Sequence, residues 1–409
     1  MNFLYEESSL TPLKVARASG FLDWSSQPSL FKHYPDFLFR YTFGELEALR
    51  PLELARMISA TTAIASKPYH QLTVPSAGNL HPIELYVQIR GIKGVLSGIY
   101  HVDVGKSEIV LIREIEADGL EPYVGLGGAV RGMLFVVTSV PFRAEWKYGE
   151  RAVRYCYLDL GHQLASLSTS LKLHQQNMTI LSEFDKKGLD EQMGFKADEF
   201  VSAAAFCGEL LERSVTPMRE KLMSVAPTDY SELSSTLADE IKKSGLFKSS
   251  LEDMQYEVSE QNILQRRSAR YFDAEGTLTS EEIERLMDKE TPYPLSCYVL
   301  LLNARDKQAG VYLKNRLLKE GEFADKISAL LVDQKFVKNA DLVFVLTSKN
   351  FSENTLAQAG IFVHKLYMQA EVKGLGCSGI GAFYDKKMQD FLGTDEKILY
   401  VSALGVKKK

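Results

Sequence analysis

Four side chains that could bind a phosphate group lie within five residues in the second half of the chain, at Arg266, Arg267, Ser268 and Arg270. Guanidinium groups are planar, bidentate donors, and at this density they suit an anion with several acceptor oxygens. A solvated basic turn is the alternative, because most charged clusters lie on protein surfaces. The segment is therefore a candidate anion site.

The first half contains a different polar segment, Pro75-Ser76-Ala77-Gly78-Asn79-Leu80-His81-Pro82. Proline and glycine predict an irregular loop, and the Ser76 hydroxyl and the Asn79 amide are short side chains that hydrogen-bond in fixed positions. An ordinary turn is the alternative interpretation. Residues 75–79 are called the PSAGN loop below.

A glycine-rich segment, GLGCSGIG, occupies residues 374–381. Its GxGxxG spacing would indicate a dinucleotide-binding turn only after a strand and before a helix. The residues before it have a helical pattern, so we reject the Rossmann interpretation. Four glycines in eight residues still predict backbone N–H groups that can approach a planar, acceptor-rich ring.

These segments lie within an internal sequence repeat that has a period near 200 residues. Asp185-Lys186-Lys187 recurs at 385–387, and Val201-Ser202-Ala203 recurs at 401–403, both at the same offset. Such a period is too long for a solenoid, so it predicts two similar domains. We predict a first domain at 1–212, a connector at 213–258 and a second domain at 259–409.

Each predicted domain has the pattern of an α+β fold. The patterns predict helices at 46–66, 151–173, 279–289 and 354–373, and strands at 84–90, 133–140, 298–303 and 341–348. Small residues in the two long helices permit close helix packing.

Composition excludes several functional classes. Lys and Arg number 48 against 53 Asp and Glu, a formal charge of -5, which argues against nucleic acid or anionic lipid as a partner. Cys156, Cys207, Cys297 and Cys377 are widely spaced, so no metal site is predicted and a reducing compartment suits them. Without a signal sequence or a long apolar run, we expect a soluble, cytoplasmic protein.

Together the segments resemble the nitroreductase fold of FMN-dependent oxidoreductases, in which an RRSxR-like start, a PSxxN-like loop and a late glycine-rich segment surround the flavin. PSAGNLHPIELYV, GIYHVD and the segment Trp146-Lys147-Tyr148-Gly149-Glu150-Arg151 are similar to the SagB-type dehydrogenase branch. The resemblance implies two tandem domains that form an intramolecular pseudo-dimer. One departure is that His70-Gln71-Leu72-Thr73-Val74 stands where that branch usually has an arginine.

The resemblance also implies roles for individual residues. Lys147 and Tyr148 are the candidates for substrate deprotonation, and partial burial would lower the pKa of a lysine toward that of a useful base. A surface ammonium beside a half-buried phenol is the alternative, and His162 is interpreted as a core histidine. The implied FMN-binding residues are Arg266, Arg267, Ser268, Arg270, Pro75, Ser76, Ala77, Gly78, Asn79, Gly379, Ile380, Gly381 and Lys407. For Lys407 a solvated basic tail is the alternative.

The predicted function is an FMN-dependent oxidoreductase acting on a small-molecule or peptide-derived substrate, for which the SagB-type resemblance implies an azoline ring. Oxygen or another acceptor would reoxidise the flavin. An NAD(P)H-dependent reductase of nitro compounds or quinones stays open, as does a flavin-free scaffold or substrate-recognition subunit. Against the scaffold, the halves keep complementary segments: the PSAGN loop in one, and the basic and glycine-rich segments in the other.

Overall fold

The computed structural model describes residues 2–18, 20, 22–64, 67–245, 247–248, 251, 257–275, 278–287, 291–292, 294–303 and 307–408. It divides the chain into two compact units. Residues 23–253 form one unit, which contains the PSAGN loop and is called the loop unit. Residues 1–22 and 254–409 form the other unit, which contains Arg266 and is called the arginine unit.

The chain begins in the arginine unit with two short helices, α1 (Asn2–Ser8) and α2 (Pro12–Arg17). The Tyr5 ring packs edge-on against Phe351 at 5.1 Å between centroids. The Leu10 amide donates a hydrogen bond to the Asp385 carboxylate at 2.9 Å. These contacts attach residues 1–22 to the second half, whereas the sequence pattern assigned them to a first domain at 1–212.

The loop unit is built on a seven-stranded antiparallel sheet. In spatial order its strands are β1 (Arg40–Thr42), β6 (Glu108–Glu114), β5 (Gly98–Asp103), β4 (Ile83–Arg90), β8 (Ala129–Ser139), β10 (Phe200–Leu211) and β9 (Met178–Leu181). A hairpin joins β2 (Ile58–Ile64) to β3 (Lys67–Leu72), and β7 (Asp118–Gly119) pairs in parallel with β11 (Thr216–Pro217).

The helices of the loop unit are α3 (Arg50–Ala55), α4 (Phe142–Tyr148), α5 (Ala152–Leu173), α6 (Lys186–Gln192) and α7 (Ser235–Lys243). Every residue of β4 is buried, which requires cover on both faces of the sheet. The long helix α5 contacts β4 and β8. Tyr86 and Val136 pack with Leu189 of α6 in a buried cluster. The central strands and α5 therefore form the buried core of this unit.

The rest of the arginine unit is built on a six-stranded antiparallel sheet. In spatial order its strands are β14 (Arg316–Glu320), β13 (Gly310–Leu313), β12 (Ser296–Leu301), β15 (Leu342–Ser348), β17 (Lys397–Val406) and β16 (Leu375–Ile380). Its helices are α8 (Glu260–Gln265), α9 (Ser280–Met287), α10 (Ala324–Leu330), α11 (Glu353–Val372) and α12 (Asp385–Leu392). A reciprocal pair of hydrogen bonds between Ser352 and Thr355 fixes the start of α11.

The two sheets have the same order of corresponding strands. The central strands β4 and β12 each pair with the hairpin that follows them and, on the other side, with β8 and β15. The repeated Asp-Lys-Lys tripeptides lie at the starts of α6 and α12, and the Val-Ser-Ala tripeptides lie in β10 and β17. The sequence repeat therefore marks equivalent elements, and its origin by duplication stays a prediction.

One predicted element is wrong over half of its length. The predicted helix at 46–66 is helical only through Ala55, and residues 58–64 form strand β2 instead. The β-branched residues Ile58, Thr61, Thr62 and Ile64 favour an extended backbone, and pairing with β3 satisfies their peptide groups. The other predicted helices and strands are confirmed within a few residues, although residues 288 and 289 of the predicted helix 279–289 lie outside the described part.

The first part of the predicted connector at 213–258 packs on the loop unit. The Leu222 amide donates to the Gln192 carbonyl, and the Pro227 carbonyl accepts a hydrogen bond from Arg143. Residues 246, 249–250 and 252–256 of this segment lie outside the described residues. Among the helices described, none is long and apolar enough to cross a lipid bilayer.

Candidate functional site

Arg266 and Ser268 converge on one buried tyrosine of α11. The Arg266 guanidinium lies over the Tyr367 ring, 5.2 Å from its centroid, and the Ser268 and Tyr367 hydroxyl oxygens are 2.8 Å apart. Arg266 is only 3% exposed, which is unusual for arginine. Burial lowers the pKa of Arg266 below its ordinary value. The structure therefore holds a guanidinium and a hydroxyl together in a region that water reaches poorly.

Two groups of the edge strand β16 complete this arrangement. The Gly379 amide donates to the Tyr367 hydroxyl at 2.7 Å, and the preceding residue along the strand, Ser378, accepts a hydrogen bond from Arg270 at 3.1 Å. We call Arg266, Ser268, Arg270, Tyr367 and Gly379 the Tyr367 cluster. It brings three of the predicted phosphate-binding residues to one sheet edge.

Arg267 and Lys407 have different partners from the other predicted basic residues. One Arg267 nitrogen donates to the carbonyl oxygens of Leu264 and Arg266, at 2.9 and 2.6 Å, where α8 ends. The Lys407 ammonium lies 2.9 and 3.0 Å from the two carboxylate oxygens of Glu371. Arg267 thus stabilises a helix terminus, and Lys407 belongs to an ion pair rather than to a solvated tail.

The glycines of β16 allow neighbouring side chains to pack closely against this strand, a role that the sequence pattern did not predict. A Cβ atom at Gly376 would lie 2.8 Å from the Ala269 Cβ, and a Cβ atom at Gly379 would collide with the Tyr400 hydroxyl. The Ala269 amide donates to the Cys377 carbonyl at 2.9 Å, so the basic segment lies directly beside this strand. The Gly379 amide, predicted to face a flavin ring, is engaged by Tyr367 instead, and Ile380 pairs with Val401 in the sheet.

The PSAGN loop has an unusual backbone that is held from outside. Gly78 and Asn79 in the loop, and His81 just after it, have positive φ angles of 63°, 61° and 49°. The Ser76 hydroxyl donates to the Asp159 carboxylate at 2.6 Å, and the Asn79 side-chain amide donates to the His70 carbonyl at 2.7 Å. The prediction of an irregular loop with fixed polar groups is therefore confirmed.

Lys147 and Tyr148 end α4 next to this loop. The Lys147 ammonium lies 4.9 Å from the centroid of the Trp24 ring and 5.4 Å from that of Tyr148. Burial lowers the pKa of Lys147. The Tyr148 hydroxyl lies against the Cα of Gly78, where it would collide with a Cβ atom. The structure thus brings Lys147, Tyr148 and the PSAGN loop together in the loop unit.

Gly78→Ala is expected to lower the free energy of unfolding of the full chain, because the residue would need a left-handed backbone and its Cβ would displace Tyr148. The backbone alone contributes about 1–2 kcal/mol, and the collision adds to it. Gly44 has φ +89°, and a Cβ atom added there would meet no described atom within 4 Å, so Gly44→Ala tests the backbone contribution alone. Urea denaturation measures both variants, and equal losses would contradict the contact with Tyr148.

A buried pair of a carboxylate and a guanidinium holds the backbone just after the loop. Arg143 donates to the His81 carbonyl at 2.9 Å and to Glu84 at 2.6 Å. Burial alone would raise the pKa of Glu84, but attraction to Arg143 and the hydrogen bond with His101 hold it well below its usual range. Sequence reasoning missed this pair, because Glu84 reads as an ordinary residue of a predicted strand.

Other chemistry-bearing groups lie elsewhere. His162 is buried within α5, in agreement with its interpretation as a core histidine. In the parts of the chain that the structure describes, no three His, Cys, Asp or Glu side chains are grouped as metal ligands. A cavity of about 570 Å³ in the loop unit is lined by Lys186, Phe195 and Lys242 among others, and none of the predicted site residues lines it.

Comparison with known proteins locates a family match in the second half of the chain. The nitroreductase family model matches residues 263–406. A candidate nitroreductase of Methanocaldococcus jannaschii is 31% identical over 107 residues, which are 25% of this chain and 54% of that protein. The chain thus spans about half the length of this curated relative.

Solved structures give a likeness over the whole chain. A candidate nitroreductase from Anabaena variabilis aligns over 100% of this chain and 99% of its own, with 21% identity and a TM-score of 0.81. A candidate nitroreductase from Desulfovibrio desulfuricans in complex with FMN aligns over 36% of this chain and 86% of its own, with 17% identity and a TM-score of 0.28. The first of these likenesses shows a nitroreductase-like fold.

Proposed function

We propose that this chain is an FMN-dependent oxidoreductase, with the nitroreductase family model matching residues 263–406. The observation that carries the proposal is the convergence of Arg266 and Ser268 on Tyr367 beside the edge strand β16, within the matched residues. The cluster combines the buried guanidinium of Arg266, the exposed guanidinium of Arg270 and the Ser268 hydroxyl, which are donors of the kind that bind a phosphate monoester.

The residues of the Tyr367 cluster fit the phosphate end of FMN. Arg266 and Arg270 offer two guanidinium groups, and Ser268 offers a hydroxyl, to an anion with three acceptor oxygens. Because burial disfavours the charged form of Arg266, an anion placed beside it would favour that form again. We do not assign this role to Arg267, since one nitrogen of its guanidinium already donates to two backbone carbonyl oxygens.

The proposal draws on one segment from each half of the chain. The Tyr367 cluster is in the arginine unit and the PSAGN loop is in the loop unit, and each half lacks the segment that the other keeps. The common strand order of the two sheets supports an origin by duplication. Complementary retention is the pattern expected when selection preserves both segments for one function.

The proposed reaction is the oxidation of an azoline ring in a peptide-derived substrate, with oxygen as the final acceptor. FMN, when bound, supplies a ring that accepts two electrons. The oxidation also releases a proton, and the Lys147 amine is the group proposed to take it. Its burial against Trp24 and Tyr148 lowers its pKa, which makes the neutral amine accessible nearer to neutral pH than in a free lysine.

A direct test mixes the FMN-loaded full chain, without oxygen, with a thiazoline-containing peptide. We expect the flavin absorbance near about 450 nm to bleach and the peptide to lose two hydrogens by mass. Bleaching by NADH or NADPH, without any reaction of the peptide, would contradict azoline oxidation and identify a reductase.

A further inference from the structure

Asp159 is a buried carboxylate that no role described so far uses. It lies in the middle of α5 and is 4% exposed. Its carboxylate accepts the Ser76 hydroxyl at 2.6 Å, and the Ala77 amide lies 3.2 and 3.3 Å from its two oxygens. The Ser76 oxygen in turn accepts the His81 amide at 2.9 Å. One carboxylate of α5 therefore holds the start of the PSAGN loop directly, and through the Ser76 hydroxyl it is linked to His81, just after the loop.

The loop needs such an external tie because its own backbone is unfavourable. Asn79 and His81 are non-glycine residues in the left-handed region, which costs free energy at each position. The Ser76 hydroxyl and the Ala77 amide are the hydrogen-bond donors just before the residues with left-handed backbone angles. If Asp159 no longer accepted both hydrogen bonds, these residues would be free to relax toward ordinary backbone angles.

Protonation changes what Asp159 can offer to these two donors. An ionised carboxylate accepts at both oxygens, whereas a protonated one carries a donor at one of them. Burial raises the pKa of Asp159 to about 7, against the lowering effects of the Ser76 hydroxyl, the Ala77 amide and Arg56. The side chain therefore changes state close to neutral pH.

The groups around Asp159 do not change state in the same range. Arg56, which follows α3, keeps its charge near neutral pH although burial lowers its pKa to about 10. On the same helix, the pKa of the Cys156 thiol is raised mainly by burial and then by the charge of Asp159. Just after the loop, the pKa of His81 is held well below its usual range, mainly by burial and then by the charge of Arg56, so this ring stays neutral.

We infer that Asp159 is a positioning residue that sets the shape of the PSAGN loop through its ionised carboxylate, and so makes FMN affinity depend on pH. The inference rests on the proposed function. Asp159 itself does not touch the cofactor in this proposal; it acts through Ser76 and Ala77. Affinity rises with pH as the carboxylate ionises.

The test measures the dissociation constant of FMN for the full chain between pH 6 and pH 8, for the natural protein and for Asp159→Asn. Asparagine keeps the shape and one acceptor oxygen but does not titrate. We expect the natural protein to bind FMN about tenfold more tightly at pH 8 than at pH 6, because the ionised fraction of Asp159 rises by about that factor when its pKa is about 7. Asp159→Asn should bind with little change across this range. Equal pH dependence in the two proteins would overturn the inference and leave the proposed function intact.

A second measurement needs no cofactor. A carboxyl group with a raised pKa in the folded state stabilises the fold at low pH, and this contribution is lost as pH rises through about 7. The melting temperature of Asp159→Asn, relative to the natural protein, should therefore increase from pH 5 to pH 8. A constant difference would overturn the titration of Asp159. Absence of FMN binding at every pH in the natural protein would instead overturn the proposed function, and with it the link between Asp159 and the cofactor.

Discussion

Arg266→Ala is expected to leave the purified full chain without bound FMN, while Arg267→Ala retains it. Each charge-assisted hydrogen bond to a phosphate is worth about 1.5–3 kcal/mol, so loss of the Arg266 fork should weaken binding by about 100-fold or more. Arg267 is the matched control, because its replacement removes the same charge from the next residue. Its guanidinium donates to the Leu264 and Arg266 carbonyl oxygens instead. Flavin released per protein chain, measured by absorbance after denaturation, compares the two variants.

Arg266 is buried, so its replacement could also weaken the fold. Arg266→Lys keeps the positive charge but lacks the planar fork, and it should bind FMN with intermediate affinity. Thermal unfolding of each variant, followed by circular dichroism, separates loss of structure from loss of binding. A folded Arg266→Ala protein with a normal flavin content would contradict the phosphate site, as would equal losses in the two alanine variants.

Lys147→Met is expected to keep the flavin and to lose most of the substrate turnover. A positioned general base contributes about 100- to 10,000-fold to a rate, and methionine fills similar space without accepting a proton. The rate of the natural protein should rise with pH as Lys147 loses its proton. The midpoint should lie below the ordinary lysine range, because burial lowers this pKa. The Lys147→Met profile should lack that rise. Oxidation of a thiazoline-containing peptide, followed by mass, supplies the rates.

The control for Lys147 is another lysine of the loop unit whose pKa is also lowered by burial. Lys172 meets this description and lies in the last turn of α5. Lys172→Met should retain both flavin and turnover. If Lys147→Met oxidised the peptide at the natural rate, the assigned proton acceptor would be wrong. If it lost the flavin as well, Lys147 would be contributing to the cofactor site.

Much of the fold could be predicted because the repeat and the apolar patterns can be read from the sequence without knowing which residues are in contact. The Val-Ser-Ala tripeptides lie in equivalent strands of two sheets with the same strand order. The helix at 46–66 failed because its apolar spacing continues past Ala55, while the β-branched residues from Ile58 onward favour pairing with β3. The prediction that residues 1–22 belong to the first domain was wrong, because the Leu10 amide donates a hydrogen bond to Asp385, which is far away in sequence.

The candidate site could be predicted only in part, because its supporting residues are distant in sequence. Ser268 and Arg270 stand out by type and spacing, but Tyr367 is an aromatic residue in an apolar helix and reads as core. Asp159 is likewise one acid within a buried helix, and nothing in the sequence connects it with Ser76. Gly376 and Gly379 stand out in the sequence by their spacing, but the structure requires glycine at these positions because Ala269 and Tyr400 approach them closely.

The visible absorption spectrum of the purified full chain, with the released cofactor identified by mass, tests the central claim most directly. We predict bands near about 375 and 450 nm and the release of FMN. A colourless protein that also fails to bind added FMN would contradict this claim and would favour a flavin-free scaffold built on the same fold.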